Sequence, residues 1–331
     1  MLSQHTMLRR QVFQKYFRYI RILFVSRNYF RNWFSLGLKI FLSSKGFISI
    51  DNVKCICRDG TILDLPPKLC TLLLFGLFDG LFNVIKCNNE VVIARDFVIP
   101  FKELLASEAV LGALKHGWSY DVARGFWFKD DVKFKHMRSY IDEVFDYEEH
   151  RNVEVDGKVV VDVGAGYGET ALYFLKRGAR YVIAVEPCPE VYGEMLENFK
   201  LNGVEGKVAP INAALSSTRG SASIECPSGK VTVGTITLGD IIDRFSLRGG
   251  VLKMDCEGCE YDVILNDYEH VRLFDEVYFE YHAHITKIPV RVLLEKLSED
   301  FKCEIVSNKE FYRRHDFSEK LLGLVRCVKK R

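Results

Sequence analysis

The sequence predicts an α/β fold, a doubly wound and mostly parallel sheet preceded by an α+β N-terminal region. Two observations carry this. From residue 158 onward, short apolar runs rich in β-branched residues alternate with helical segments. Repeated β-α-β units of this kind put helices on both faces of a parallel sheet. Between the first run and the first helix stand Gly164, Gly166 and Gly168, the residue type a sharp strand-to-helix turn needs.

The elements follow in order. "KVVVDV" (158–163) is the first strand, and "GETALYFLKRG" the first helix. "RYVIAVEP" (180–187) is the second strand, and "PEVYGEMLENFKLNG" a helix that Gly203 ends. "KVAPINAAL" (207–215) is the third strand, and "GVLKMD" (250–255) the fourth, with a helix expected from about Glu257. "FDEVYFEYH" (274–282), a helix around 290–299, "CEIVS" and "LLGLVRCV" complete the run. Ligands of such sheets sit at the carboxyl ends of the strands, where strand order reverses.

Upstream, three zones are expected: a basic helical segment over 1–46, a small α+β region over 47–150, and the main domain over 151–331. Phe13, Phe17, Ile20 and Phe24 recur at helical spacing in the first. Asp59-Gly60 marks a hairpin in the second, and residues 101–150 read as helix followed by loop.

Charge is unevenly spread. Residues 1–50 carry nine Lys or Arg and no acid, whereas the rest hold 37 basic and 44 acidic residues. The basic, aromatic segment suits an anionic membrane surface, with nucleic acid the rival partner and plain packing a third reading. No run is long and apolar enough to span a bilayer, and no secretory signal is evident. The ten cysteines are expected to be mostly reduced in a cytoplasmic protein, peripheral to the membrane at most.

A nucleoside cofactor is expected at the glycine loop. Glu186 ends the second strand, where a carboxylate can accept the ribose hydroxyls of an adenosine. The spacing is G-x-G-x-G rather than the G-x-G-x-x-G of dinucleotide sites, and Asp162 precedes it. A carboxylate there suits the ammonium group of S-adenosylmethionine. The blocks "KVVVDVGAGYGETALYFLKRG", "INAAL", "TLGDIIDRF", "LKMDCEGCEYDVI" and "FEYH" together resemble the FkbM family of S-adenosylmethionine-dependent methyltransferases, over roughly residues 150–310. The resemblance implies a Rossmann-like class I methyltransferase with a seven-stranded sheet. It also implies methyl transfer to a hydroxyl, of a saccharide or glycolipid. By position, Asp162, Gly164, Ala165, Gly166 and Gly168 would line the methionine part. Glu186 and Pro187 would hold the ribose, and Asn212 and Ala213 would approach the adenine. Glu169 departs from the Asp commoner at its position, and no consequence is expected.

Asp255, Glu257 and His282 are the catalytic candidates, because a neutral hydroxyl needs a group to take its proton. Against this, Asp255 could cap a helix beginning at 257. Glu257 could serve that helix's dipole, and His282 could be an ordinary strand-end histidine. Asp255, Glu257 and Glu280 could gather Mg2+, but a metal-free site is the preferred reading. Cys256 and Cys259 are expected to be small thiols packing a helix start. An RNA methyltransferase, or a non-catalytic membrane-associated adaptor that keeps the fold, are the alternatives.

Overall fold

The computed structural model describes residues 24, 26–44, 46–82, 84–86, 91–94, 97–106, 109–307, 311–312, 315 and 318–331. Most of the expected basic helix, including Phe13, Phe17 and Ile20, lies outside these residues; Phe24 lies inside and is exposed. The chain divides into two units, Met1–Asp142 and Glu143–Arg331.

In the first unit, helix α1 (Trp33–Ser44) precedes the hairpin of β1 (Val53–Ile56) and β2 (Ile62–Leu65). Asp59-Gly60 makes its turn, with Gly60 at φ 98°. The apolar run that follows forms helix α2 (Pro67–Phe78), opened by proline in its first turn. An apolar run has no period to separate helix from strand, and here its length of 12 residues favours the helix. Strands β3 (Val84–Lys86), β4 (Val91–Ala94) and β5 (Phe97–Pro100) form one antiparallel sheet. Strands β6 (Ser119–Asp121), β7 (Phe126–Lys129) and β8 (Val132–Phe134) form another, where helix and loop were expected. Each is three or four residues long, too short for alternation to show. Trp127 and Phe134 are fully buried there.

The second unit holds a seven-stranded sheet. Its strands are β9 (Val159–Val163), β10 (Tyr181–Val185), β11 (Val208–Ile211), β15 (Val251–Met254), β16 (Glu276–His282), β17 (Phe301–Ile305) and β18 (Leu322–Lys329). Their order is β11-β10-β9-β15-β16-β18-β17. The first five run parallel, and β18 is antiparallel to both β16 and β17. Four of the five residues of β9 and of β10, and all four of β15, are buried, as strands covered on both faces must be. The chain steps from β9 outward to β10 and β11, then returns to β15 on the other side of β9. The crevice at the carboxyl ends of β9 and β15 is thus the switch point.

Helices α3 (Phe101–Ala106), α4 (Val110–Lys115) and α5 (Ser139–Phe145) precede β9 in the chain, and α6 (Glu169–Lys176), α7 (Pro189–Asn202), α8 (Leu238–Phe245), α9 (Cys259–Asn266) and α10 (Val290–Leu297) flank this sheet. A capping box, Thr237 with Asp240, starts α8. The short strand β12 (Ala214–Leu215) pairs with β14 (Gly229–Ile236), which forms a hairpin with β13 (Ser221–Cys226). The cysteines depart from the reduced state expected of them. Cys188–Cys226, Cys256–Cys259 and Cys303–Cys327 are disulfides, and Cys57 is also disulfide-bonded. Cys303 and Cys327 face each other across β17 and β18. A sequence without its pairing geometry cannot show that, because disulfides depend on Cα distance rather than on cysteine count.

Candidate active site

The glycine loop forms as the sequence requires. Gly164, Gly166 and Gly168 all have left-handed backbones, at φ 70°, 55° and 89°. Gly164 has a further reason. A Cβ there would fall 1.7 Å from the carbonyl oxygen of Asp255, so the loop rests directly on the end of β15. The Asp255 N–H donates to Val163 O at 3.0 Å and prolongs the β9–β15 ladder by one bond. Gly164 and Ala165 N–H both donate to Val185 O, tying the loop to the end of β10.

Glu186 lies beside this loop, almost wholly buried. Its Oε2 accepts from Gly166 N at 3.0 Å and its Oε1 from Cys188 N at 2.9 Å. Each carboxylate oxygen accepts more than one bond, so both keep capacity for hydroxyl donors. Burial holds its pKa up, at about 7. Asn212 steers the chain here: its Nδ2 donates to the carbonyls of Glu186 at 2.8 Å and Pro187 at 3.0 Å. Ala213 is buried beside it in the sequence.

Asp162, expected on the methionine part, lies within β9 just before the loop. It is fully buried and engaged within the protein. Lys253 Nζ, itself 1% exposed, sits 3.1 Å from Asp162 Oδ1, and Thr170 Oγ1 donates to Oδ2. Lys253 also donates to Gly164 O at 2.9 Å. Burial opposes the charge on Lys253, but Asp162 and Asp255 outweigh it and raise its pKa. The pair is a strut under the loop.

The acidic block that follows β15 gathers around His282. Its Nε2 lies 3.7 Å from Asp255 Oδ1, 3.6 Å from Glu257 Oε2 and 3.6 Å from Glu280 Oε2. The imidazole is 3% exposed, whereas the side chains of Asp255 and Glu257 are 36% and 74% exposed, so the carboxylates stand between it and solvent. Behind it is Glu260, fully buried on α9. Glu260 Oε1 is 2.8 Å from His282 Nδ1 and accepts from the His282 backbone at 3.0 Å. Glu260 Oε2 accepts from Gly258 N at 3.0 Å.

These contacts set the charges. Burial disfavours the imidazolium, but Glu260, Asp255 and Glu257 outweigh it and raise His282 to about 9. Burial also works against ionised Asp255, and Lys253 and His282 reverse this, holding it below the usual carboxylate range. Glu280 is pushed well above that range by burial and by the neighbouring Asp255. At neutral pH the cluster is therefore an imidazolium, an ionised Asp255 and a protonated Glu280.

Asp255 is not a helix cap. Helix α9 starts at Cys259 with Gly258 as its N-cap, and Glu257 sits before it in a left-handed backbone, φ 54°. The cysteines that flank Glu257 close on each other rather than packing as thiols. Asp255, Glu280 and His282 also set ligand atoms within 4.8 Å of one another. Those are donor types a divalent cation accepts. The sequence names Glu280 only as a possible Mg2+ ligand, and Glu260 is not among the catalytic candidates. The i, i+2 spacing of Glu280 and His282 on one strand was the available signal for the first; Glu260 had none beyond its proximity in "DCEGCE".

Residues 162–302 match the model of the methyltransferase FkbM domain. This segment of the chain is a methyltransferase FkbM domain. Among curated proteins none matches the sequence. Solved structures similar to this chain include M. jannaschii TYW2 in complex with AdoMet, 17% identical, TM-score 0.37, covering 62% of this chain and 84% of that one. The precorrin-6y C5,15-methyltransferase from Geobacter metallireducens GS-15 is 15% identical, TM-score 0.34, covering 57% and 88%. M. capricolum TrmK with S-adenosylhomocysteine is 9% identical, TM-score 0.37, covering 56% and 69%.

The chain is therefore an S-adenosylmethionine-dependent methyltransferase. Its residues fit the cofactor. The loop has glycine where backbone must approach closely, and Glu186 keeps acceptor capacity at the end of the second strand.

Proposed function

We propose that this methyltransferase acts on a hydroxyl, of a saccharide or glycolipid, with Asp255, Glu257 and His282 handling the hydroxyl proton. The observation that carries this reading is the packing of three carboxyl groups around His282 Nε2, beside the glycine loop. When bound, S-adenosylmethionine supplies a methyl group activated by a sulfonium.

Asp255 is the group poised to accept the acceptor's O–H at neutral pH, because Lys253 and His282 keep it ionised. A carboxylate of low pKa suffices for this. The hydroxyl becomes strongly acidic as its oxygen gains a bond, so its proton moves downhill late in the displacement. His282 stands behind Asp255, and Glu260 fixes the imidazole with Nε2 turned to the carboxylates. Glu257, the most exposed member, is placed to take a second hydroxyl of a polyol. Orientation supplies much of the remaining rate.

The charge of the site supports a neutral polyol over a phosphate backbone, which anionic side chains repel. A lipid-linked acceptor also suits the nine basic residues of segment 1–50. The test is a donor carrying a 13C-labelled methyl, offered to saccharides, glycolipids and RNA in parallel. The expected product shows an O-methyl resonance in the glycan samples. Label confined to RNA, or on nitrogen or carbon, would overturn the proposal.

A further inference from the structure

Asp162, which the sequence assigned to the methionine end of the cofactor, is already held by the Lys253 charge and the Thr170 hydroxyl. We propose that Glu169 is the residue that receives the cofactor's α-ammonium group. This rests on the reading that the glycine loop binds S-adenosylmethionine.

Glu169 opens α6, directly after Gly168. It is 5% exposed, and its Oε2 is buried with no hydrogen-bond partner among the described residues. The carboxylate lies against the middle glycine of the loop. A Cβ on Gly166 would stand 2.5 Å from Glu169 Oε1 and 3.2 Å from Oε2. The N–H of that same glycine is bound to Glu186. The loop's centre is therefore flanked by two carboxylates, one at the end of β10 and one at the start of α6.

A buried carboxylate oxygen without a donor is costly, and the cost falls when a cation with N–H groups takes it. The charged groups facing Glu169 are Lys253, Asp162 and Glu186. Lys253 is committed to Asp162 and to backbone carbonyls. Burial lifts Glu169 to about 8, so without the cofactor it holds a proton at neutral pH and gives that proton up to solvent when the ammonium arrives. The departure from Asp at this position then has a use. The longer side chain reaches back over the loop to Gly166.

Two ligands separate the amino-acid group from the rest of the cofactor. S-adenosylhomocysteine carries the amino-acid group and no sulfonium; 5′-methylthioadenosine carries neither. Calorimetric titration of both is compared for wild type, Glu169→Gln and Glu169→Asp. Glu169→Gln is expected to weaken S-adenosylhomocysteine by about 10-fold or more while leaving 5′-methylthioadenosine within about twofold. Titrations near pH 7 in buffers of different ionisation heat should show proton release in wild type that Glu169→Gln reduces. Glu169→Asp, which keeps the charge, is expected to fall between. Equal effects on both ligands, or none, would overturn the assignment while leaving the cofactor reading standing. A wild type that binds neither ligand overturns both. Retained 5′-methylthioadenosine binding certifies the fold of each variant.

Discussion

Glu260 shows how much a single buried side chain governs here. Its carboxylate meets the His282 ring at Nδ1 and the His282 and Gly258 backbones. His282 is raised from 6.5 to about 9 in the fold. A raised histidine contributes stability that is complete below its unfolded pKa and is lost as pH rises through the folded value. Thermal stability is therefore expected to decline between roughly pH 6.5 and 9, and Glu260→Gln to flatten that decline, as calorimetric melting across this range will show. Asp255→Asn is expected to abolish turnover and leave S-adenosylhomocysteine affinity within about twofold, as the proposed role of taking the acceptor's proton requires. Normal turnover in that variant contradicts its role. At this scale the sequence revealed residue type better than residue duty. Asp255, Glu257 and His282 meet as their positions at strand ends suggested. The Lys253–Asp162 pair was not legible, because a lysine two residues upstream of Asp255 reaches Asp162 only once β15 lies beside β9.

Among elements, the hairpin of β13 and β14 has the clearest structural device. Cys188–Cys226 fastens it next to Glu186, across a separation of 38 residues. Closing a loop of that size stabilises a fold by roughly 4 kcal/mol in the chain-entropy model. Cys226→Ser should lower the unfolding free energy by up to that amount, measured by denaturant titration without reductant. No change would show that the pair is reduced in solution. Elements were legible where period or punctuation marked them, as with the Asp59-Gly60 hairpin and the strands from 158 onward. Strands β6 to β8 were not, being too short to show alternation, and α2 was hidden by its uniform apolarity.

Across the molecule, the alternation of strands and helices was enough to fix a parallel sheet, and strand order then places the glycine loop and Asp255 at one crevice. No helix among the described residues is long and apolar enough to cross a membrane. The central claim is that this crevice binds S-adenosylmethionine through the loop and Glu186. The direct test is calorimetric titration of S-adenosylhomocysteine into the full chain, with Glu186→Ala alongside. Micromolar binding by wild type, weakened at least about 10-fold in the variant, is the expected result. Wild-type binding that Glu186→Ala leaves intact, or no wild-type binding at all, would contradict it.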